Sequence, residues 1–205
     1  MNLFFGDSLT AGENNNNTSF VDYVRENSFN LGISGTTIGE YSIYPVDGNS
    51  LLGVINKYKD AIKNADKIFL EYGGNDVAAI MCGFATVQTV VVSLVKALDW
   101  IKQLNPQSKV YFLALGDKKT VYEFALNNSH YLEHEYFSKF DFKFPPSIYS
   151  KIYDEILYKI SKICDIIYMF KNNEFSDELL SDDNLHPNDE GHKIIAKNIN
   201  AKIGE

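Results

Sequence analysis

The stretch Asn2-Leu3-Phe4-Phe5-Gly6-Asp7-Ser8-Leu9-Thr10 begins as a short β-rich run, Asn2–Phe5, and breaks at once into a polar turn. Four further runs of the same kind follow, at Phe29–Leu31, Lys67–Tyr72, Lys109–Leu115 and Asp165–Phe170, and helical patterns lie between them. Regular alternation of strand and helix is the sign of a parallel sheet covered by helices on both faces. In such open sheets ligands bind outside the carboxyl ends of the strands. Gly6-Asp7-Ser8-Leu9-Thr10 therefore puts a serine where chemistry usually happens. Gly-Asp-Ser is also ordinary turn chemistry, so its weight depends on partners elsewhere in the chain.

The helical signal is clearest between the third and fourth runs. There Val87, Val90, Val91, Leu94, Val95, Leu98 and Ile101 recur at spacings of three and four, the stripe of an amphipathic helix facing a core. Helices are also expected at Phe20–Glu26, Leu51–Asn64, Ile148–Ile163 and Glu190–Lys202, the last with Ile194, Ile195, Ile199 and Ile203 on adjoining turns. Asn14–Asn17 reads as a solvated loop. Residues 117–150 hold nine aromatics and Pro145-Pro146 and read as an irregular connection of the length usually found in lids or binding loops; packing of the aromatics on the core is the favoured reading, a lid the alternative.

With 205 residues, 45% apolar and 22% charged, the chain has the size of one domain spanning 1–205. Its 14 Phe, 13 Tyr and 1 Trp against 5 Pro argue against intrinsic disorder. A net charge of −8 disfavours nucleic acid and anionic membrane as partners. Seven of the acids lie between Asn172 and His192, a stretch without Lys or Arg, so the remainder is nearly neutral. No apolar run reaches the roughly 18–20 residues of a membrane span, and the opening MNLFFGDS is too short and uncharged for a secretory signal. Cys82 and Cys164 match neither a zinc spacing nor a disulfide framework. A cytoplasmic location is the expectation.

A serine hydroxyl is a poor nucleophile until a base takes its proton and a third group orients that base. His186 stands in Ser181-Asp182-Asp183-Asn184-Leu185-His186-Pro187-Asn188, three residues after Asp183, a spacing that brings a carboxylate to one ring nitrogen across a tight turn. Acyl transfer also needs donors for the developing oxyanion. Two loops offer them: Asn30-Leu31-Gly32-Ile33-Ser34-Gly35-Thr36-Thr37 after the second strand, and Gly73-Gly74-Asn75-Asp76 after the third.

Taken in order, Gly-Asp-Ser-Leu, Ile-Ser-Gly-Thr, Gly-Gly-Asn-Asp and Asp-x-x-His-Pro-Asn span residues 6 to 188. Four ordered blocks of this kind resemble the SGNH (GDSL-type) hydrolase family of esterases and lipases. The resemblance implies a flavodoxin-like three-layer α/β/α fold with a five-stranded parallel sheet, order 2-1-3-4-5. It also implies ester hydrolysis through an acyl-serine, with no metal or organic cofactor. By that resemblance Ser8 is the nucleophile and one oxyanion donor, Gly35 (chosen over Gly32) the second donor and Asn75 the third. His186 is then the general base and Asp183 its partner, with Asp182 as the register alternative. The Gly-x-Ser-x-Gly elbow of the α/β-hydrolases is absent.

Short-acyl esters, such as O-acetyl carbohydrate or small esters, are the expected substrates. Longer-chain lipase, lysophospholipase or thioesterase activity and O-acyl transfer stand as alternatives, and a non-catalytic binding module is disfavoured by the intact set. His130 and His134 have no third metal ligand, and the pattern His-Glu-x-x-His is absent. His192 reads as a surface or capping residue, and Asp7 and Asp76 as hydrogen-bond acceptors for loop backbone.

Overall fold

A computed structural model of the chain describes residues 1–25, 27–41, 50–127, 145–171 and 173–204. Five strands, β1 Asn2–Gly6, β2 Ser28–Asn30, β3 Lys67–Glu71, β4 Lys109–Ala114 and β5 Asp165–Tyr168, form one sheet in the order β2-β1-β3-β4-β5. Every neighbouring pair is parallel. The sequence expectation of an α/β fold with this strand order holds, with strand ends shifted by a residue or two. β5 stops at Tyr168, although the N–H groups of Met169 and Phe170 still bond the carbonyls of Ala114 and Leu115.

The helices are α1 Ser8–Ala11, α2 Phe20–Tyr23, α3 Leu51–Lys57, α4 Lys59–Ile62, α5 Gly74–Met81, α6 Val87–Leu104, α7 Lys118–Asn127, α8 Pro146–Ile160 and α9 Asp189–Ile203. From β1 the chain steps to β2 on one side and later returns past β1 to β3, β4 and β5 on the other. Crossovers of one hand that run in opposite directions must lie on opposite faces. Accordingly α2 packs with α9, while α3 packs with α6 and α6 with α8. The reversal between β1 and β3 is the switch point, and in open parallel sheets ligands bind there, at the carboxyl ends of the strands.

β1 is buried along its whole length, as a strand covered on both faces requires. The rings of Phe4, Phe69 and Tyr111 stand in register across three strands, with centroids 4.3 Å and 5.3 Å apart. Phe20 of α2 meets Phe4 edge-on, whereas Phe5, on the opposite face, meets Tyr58 between α3 and α4.

Some elements differ from the sequence reading. Leu51–Asn64 is not one helix, because Tyr58 leaves helical geometry at φ −110°, ψ 21°. The helix from Phe20 ends at Tyr23, where the buried Val24 turns extended. In α6 the core face is Val90, Leu94, Ala97 and Ile101, and Val95 is exposed; it lies about 140° round the helix from Val90 at roughly 100° per residue. The connection after β4 is not irregular throughout: α7 occupies 118–127 and buries Thr120, Val121, Phe124 and Ala125 on one face. That period was hidden among the aromatics. The rest of the aromatic segment, 128–144, including His130 and His134, lies outside the described residues. No helix among the described residues is long and apolar enough to cross a membrane.

Candidate active site

Ser8 opens α1, immediately past β1. Asp7 is its N-cap, accepting the Leu9 N–H at 3.1 Å, and the Ser8 carbonyl accepts the N–H groups of Gly12 and Glu13, both at 3.1 Å. The Ser8 N–H and hydroxyl have no partner among the described residues, and Ser8 is not hydrogen-bonded to His186.

The loop after β2 is fastened to the end of β1. Ile33 N–H donates to the Gly6 carbonyl at 2.9 Å, Thr36 Oγ1 donates to the Ile33 carbonyl at 2.8 Å with the Gly6 carbonyl 3.2 Å away, and Thr36 N–H closes a turn on Ile33 at 3.3 Å. Gly35 sits inside that turn at φ +77°, a conformation side chains disfavour. Gly32 has a different task. A Cβ there would stand 2.5 Å from the Ala11 nitrogen, so its absence lets the loop lie against α1.

Asn75, in the first turn of α5, links these two loops. Its Nδ2 donates to the Thr36 carbonyl at 3.0 Å and to Asp7 Oδ2 at 3.2 Å. Beneath it, Asp7 and Glu71 form a buried acid pair: the Asp7 N–H and Thr10 Oγ1 donate to Glu71 Oε2 at 3.4 and 3.0 Å. Burial raises both carboxyls above their ordinary range, and for Asp7 the nearby Glu71 charge adds to it. The sequence reading passed over Glu71, although a lone acid in the apolar run Lys67–Tyr72, just before the glycines, is a visible signal.

Asp76 serves the same loop from inside. Its Oδ1 accepts the Ile38 N–H at 3.0 Å and the Tyr41 hydroxyl at 2.7 Å, and its Oδ2 is buried without a partner among the described residues. Burial pushes this carboxyl up to about 6 from an ordinary 3.8, against the lowering effect of those bonds. The folded state therefore holds this proton more tightly than the unfolded one. The resulting stabilisation is complete at acid pH and is lost as pH rises towards 6. Its size is on the order of 3 kcal/mol. Urea unfolding of Asp76→Asn should accordingly fall less steeply between pH 4 and pH 7 than that of the wild type; equal slopes would remove Asp76 as the source.

His186 lies in a loop closed by the bridge Leu180–Pro187 and by the Ser181 N–H on the His186 carbonyl at 2.7 Å. The next residue but one, Asn188, caps α9 through the Gly191 N–H at 3.1 Å. Asp183 folds back as an Asx turn: Oδ1 accepts the N–H groups of Leu185 and His186, both at 2.9 Å, and Oδ2 meets His186 Nδ1 at 2.5 Å. Burial would raise this carboxyl, but the bonds from the His186 ring and backbone and from Leu185 outweigh it, and Asp183 lies below its ordinary value. The register alternative, Asp182, is exposed. Nδ1 is committed to Asp183, which leaves Nε2 as the ring nitrogen outside that pair.

The loop after α1 reaches this imidazole. Glu13 Oε2 is 3.9 Å from Nε2, and Asn14 Nδ2 donates to Asp183 Oδ2 and lies 3.3 Å from Nδ1. From sequence Asn14 reads only as part of the solvated loop Asn14–Asn17 and Glu13 carries no signal; what marks both is position, within six residues of Ser8. His192 is not a surface residue. It is fully buried in α9, its Nδ1 accepts the Phe20 N–H at 3.2 Å at the start of α2, and burial lowers its pKa to about 4.

Comparison with known proteins gives a family. A family model described as GDSL-like Lipase/Acylhydrolase family matches residues 4–194. No curated protein sequence matches significantly. Among solved structures, a lipase from a goat rumen metagenome is 16% identical, covering 98% of this chain and 95% of that one at a TM-score of 0.58. A carbohydrate esterase family 3 protein from Talaromyces cellulolyticus is 16% identical, with coverage of 99% and 96% and a TM-score of 0.57. A catalytic mutant of an acetylxylan esterase from Geobacillus stearothermophilus is 15% identical, with coverage of 99% and 93% and a TM-score of 0.57. At these identities the likeness is one of fold, and the match along residues 4–194 carries the assignment: this chain belongs to the GDSL-like lipase/acylhydrolase family of hydrolytic esterases.

Proposed function

We propose that this chain is a serine ester hydrolase acting through an acyl-serine, with short-acyl esters, O-acetyl carbohydrate or small, as substrates. Ser8 Oγ attacks the ester carbonyl while His186 Nε2 takes its proton, and Asp183 holds the ring and favours the imidazolium. The tetrahedral oxyanion is met by the N–H groups of Ser8 and Gly35 and by Asn75 Nδ2. His186 returns the proton to the leaving alcohol as the C–O bond breaks. Water then repeats the sequence on the acyl-enzyme and regenerates Ser8.

The observation that carries this reading is the Asp183–His186 pair at 2.5 Å, held against the loop that begins at Ser8. The carbohydrate esterase and acetylxylan esterase among the similar folds favour the short acyl group; the lipase keeps longer chains as the alternative. Glu13 adds negative charge beside the imidazole, and the segment 172–192 that carries His186 is rich in acids, which favours neutral over anionic esters.

Labelling with a fluorophosphonate should modify Ser8, and p-nitrophenyl acetate should be hydrolysed faster than the octanoate. Failure to label would sink the serine mechanism. Faster octanoate turnover would replace the short-acyl assignment with the lipase one, and acetylated acceptor in place of free acetate would mark a transferase. An anionic ester turned over faster than its neutral analogue at low salt would overturn the charge preference.

A further inference from the structure

The tract Asn14-Asn15-Asn16-Asn17 directly follows the turn at Gly12. Asn14, Asn16 and Asn17 have φ of +58°, +51° and +58°, and asparagine is the side chain that best tolerates that left-handed region after glycine. Backbone geometry thus explains most of the tract, and Asn15 caps the turn through the Thr18 carbonyl at 2.9 Å. Asn14 does something more. Though largely exposed, it touches the 181–186 loop twice: its Nδ2 donates to Asp183 Oδ2, and its carbonyl accepts Ser181 Oγ at 3.4 Å.

We infer that Asn14 is a positioning residue for the Asp183–His186 pair, tying the base to the loop that carries the nucleophile. The inference rests on the Ser8–His186–Asp183 reading above. The path is short and continuous: the Ser8 carbonyl accepts the Glu13 N–H at 3.1 Å, Asn14 is the next residue, and its amide holds the carboxylate that orients His186. Asn14 thereby sets the reach between Ser8 and the imidazole.

The contact also has an electrostatic sign. With Nδ1–H pointing at Asp183, Nδ1 cannot accept from Asn14, so the amide hydrogen goes to the carboxylate. Oδ2 divides its charge between Nδ1–H and the Asn14 N–H. Removing the amide returns that charge to the ring and favours imidazolium. Among the described residues, the other charged or titratable groups facing His186 are Glu13 on the loop after α1, Asp7 at the N-terminus of α1 and His192 of α9. All remain in place when Asn14 alone is changed.

Asn14→Gly deletes the amide and keeps the left-handed backbone; Asn14→Asp keeps the shape, loses the donor and adds a like charge. The pH dependence of fluorophosphonate labelling and of kcat/KM for p-nitrophenyl acetate reads both variants. Asn14→Gly should lower kcat roughly fivefold to tenfold with KM within twofold, and move the acid limb upward by a few tenths of a pH unit. Asn14→Asp should move that limb further in the same direction. A purely structural role would shift the melting temperature and leave the limb where it is. Limbs that coincide in all three proteins, with the wild type labelled at Ser8, would overturn the Asn14 role alone. A wild type that does not label would remove the triad reading and this one with it.

Discussion

Ser8→Ala should lower turnover of p-nitrophenyl acetate at least ~10⁴-fold, because the acyl-serine cannot form without the hydroxyl. The fold gives no reason for the protein to suffer otherwise. The Ser8 hydroxyl has no hydrogen-bond partner among the described residues, and α1 is held by the Asp7 cap and by the Ser8 carbonyl, which alanine retains. Far-UV spectrum and melting temperature should therefore match the wild type to within about 0.5 kcal/mol of stability. Residual activity should come from the oxyanion donors, which still polarise a bound ester for attack by water. The decisive measurement is a steady-state assay beside a thermal melt. A fully active Ser8→Ala protein would mean that another residue is the nucleophile, and the assignment of His186 as its base would fall with it.

Much of this was legible in the chain because local chemistry and global fold agree. A strand buried on both faces is largely apolar, so Leu3–Phe5 and Ile68–Leu70 stand out, and the turns after them need glycine and small polar residues. Asp183 and His186 are three residues apart in one Asx turn, so their pairing is a local fact that spacing can express. The missing parts are long-range. The Asp7–Glu71 contact spans 64 positions and the Asn14–Asp183 contact 169, and nothing in either neighbourhood encodes its partner. α7 went unseen because its buried Thr120 and Ala125 carry little hydrophobic signal beside the aromatic residues that follow. The break at Tyr58 was hidden for the opposite reason: the pattern continues through it while the backbone does not.

Asn75→Ala should cost about 10²–10³ in kcat, the usual effect of losing one preorganised oxyanion donor. The side chain has two separable roles. One Nδ2 hydrogen holds the Thr36 carbonyl at 3.0 Å and so fixes the turn that presents Gly35. The other lies on Asp7 Oδ2 at 3.2 Å, the longer of the two contacts and the one beside Ser8. In the proposed reaction this second hydrogen turns to the oxyanion as charge develops there. Losing the Thr36 bond should cost only about 1 kcal/mol of stability, since the same turn is also held by the Ile33 N–H on Gly6 and by the Thr36 hydroxyl and N–H on Ile33. Losing the oxyanion bond should instead appear in the transition state alone. Substrate KM should hardly move, while affinity for a boronate that mimics the tetrahedral adduct should fall in proportion to kcat/KM. An alanine variant whose whole defect is a lowered melting temperature, with boronate affinity unchanged in the folded fraction, would make Asn75 a brace for the Gly35 turn and leave two donors at the oxyanion.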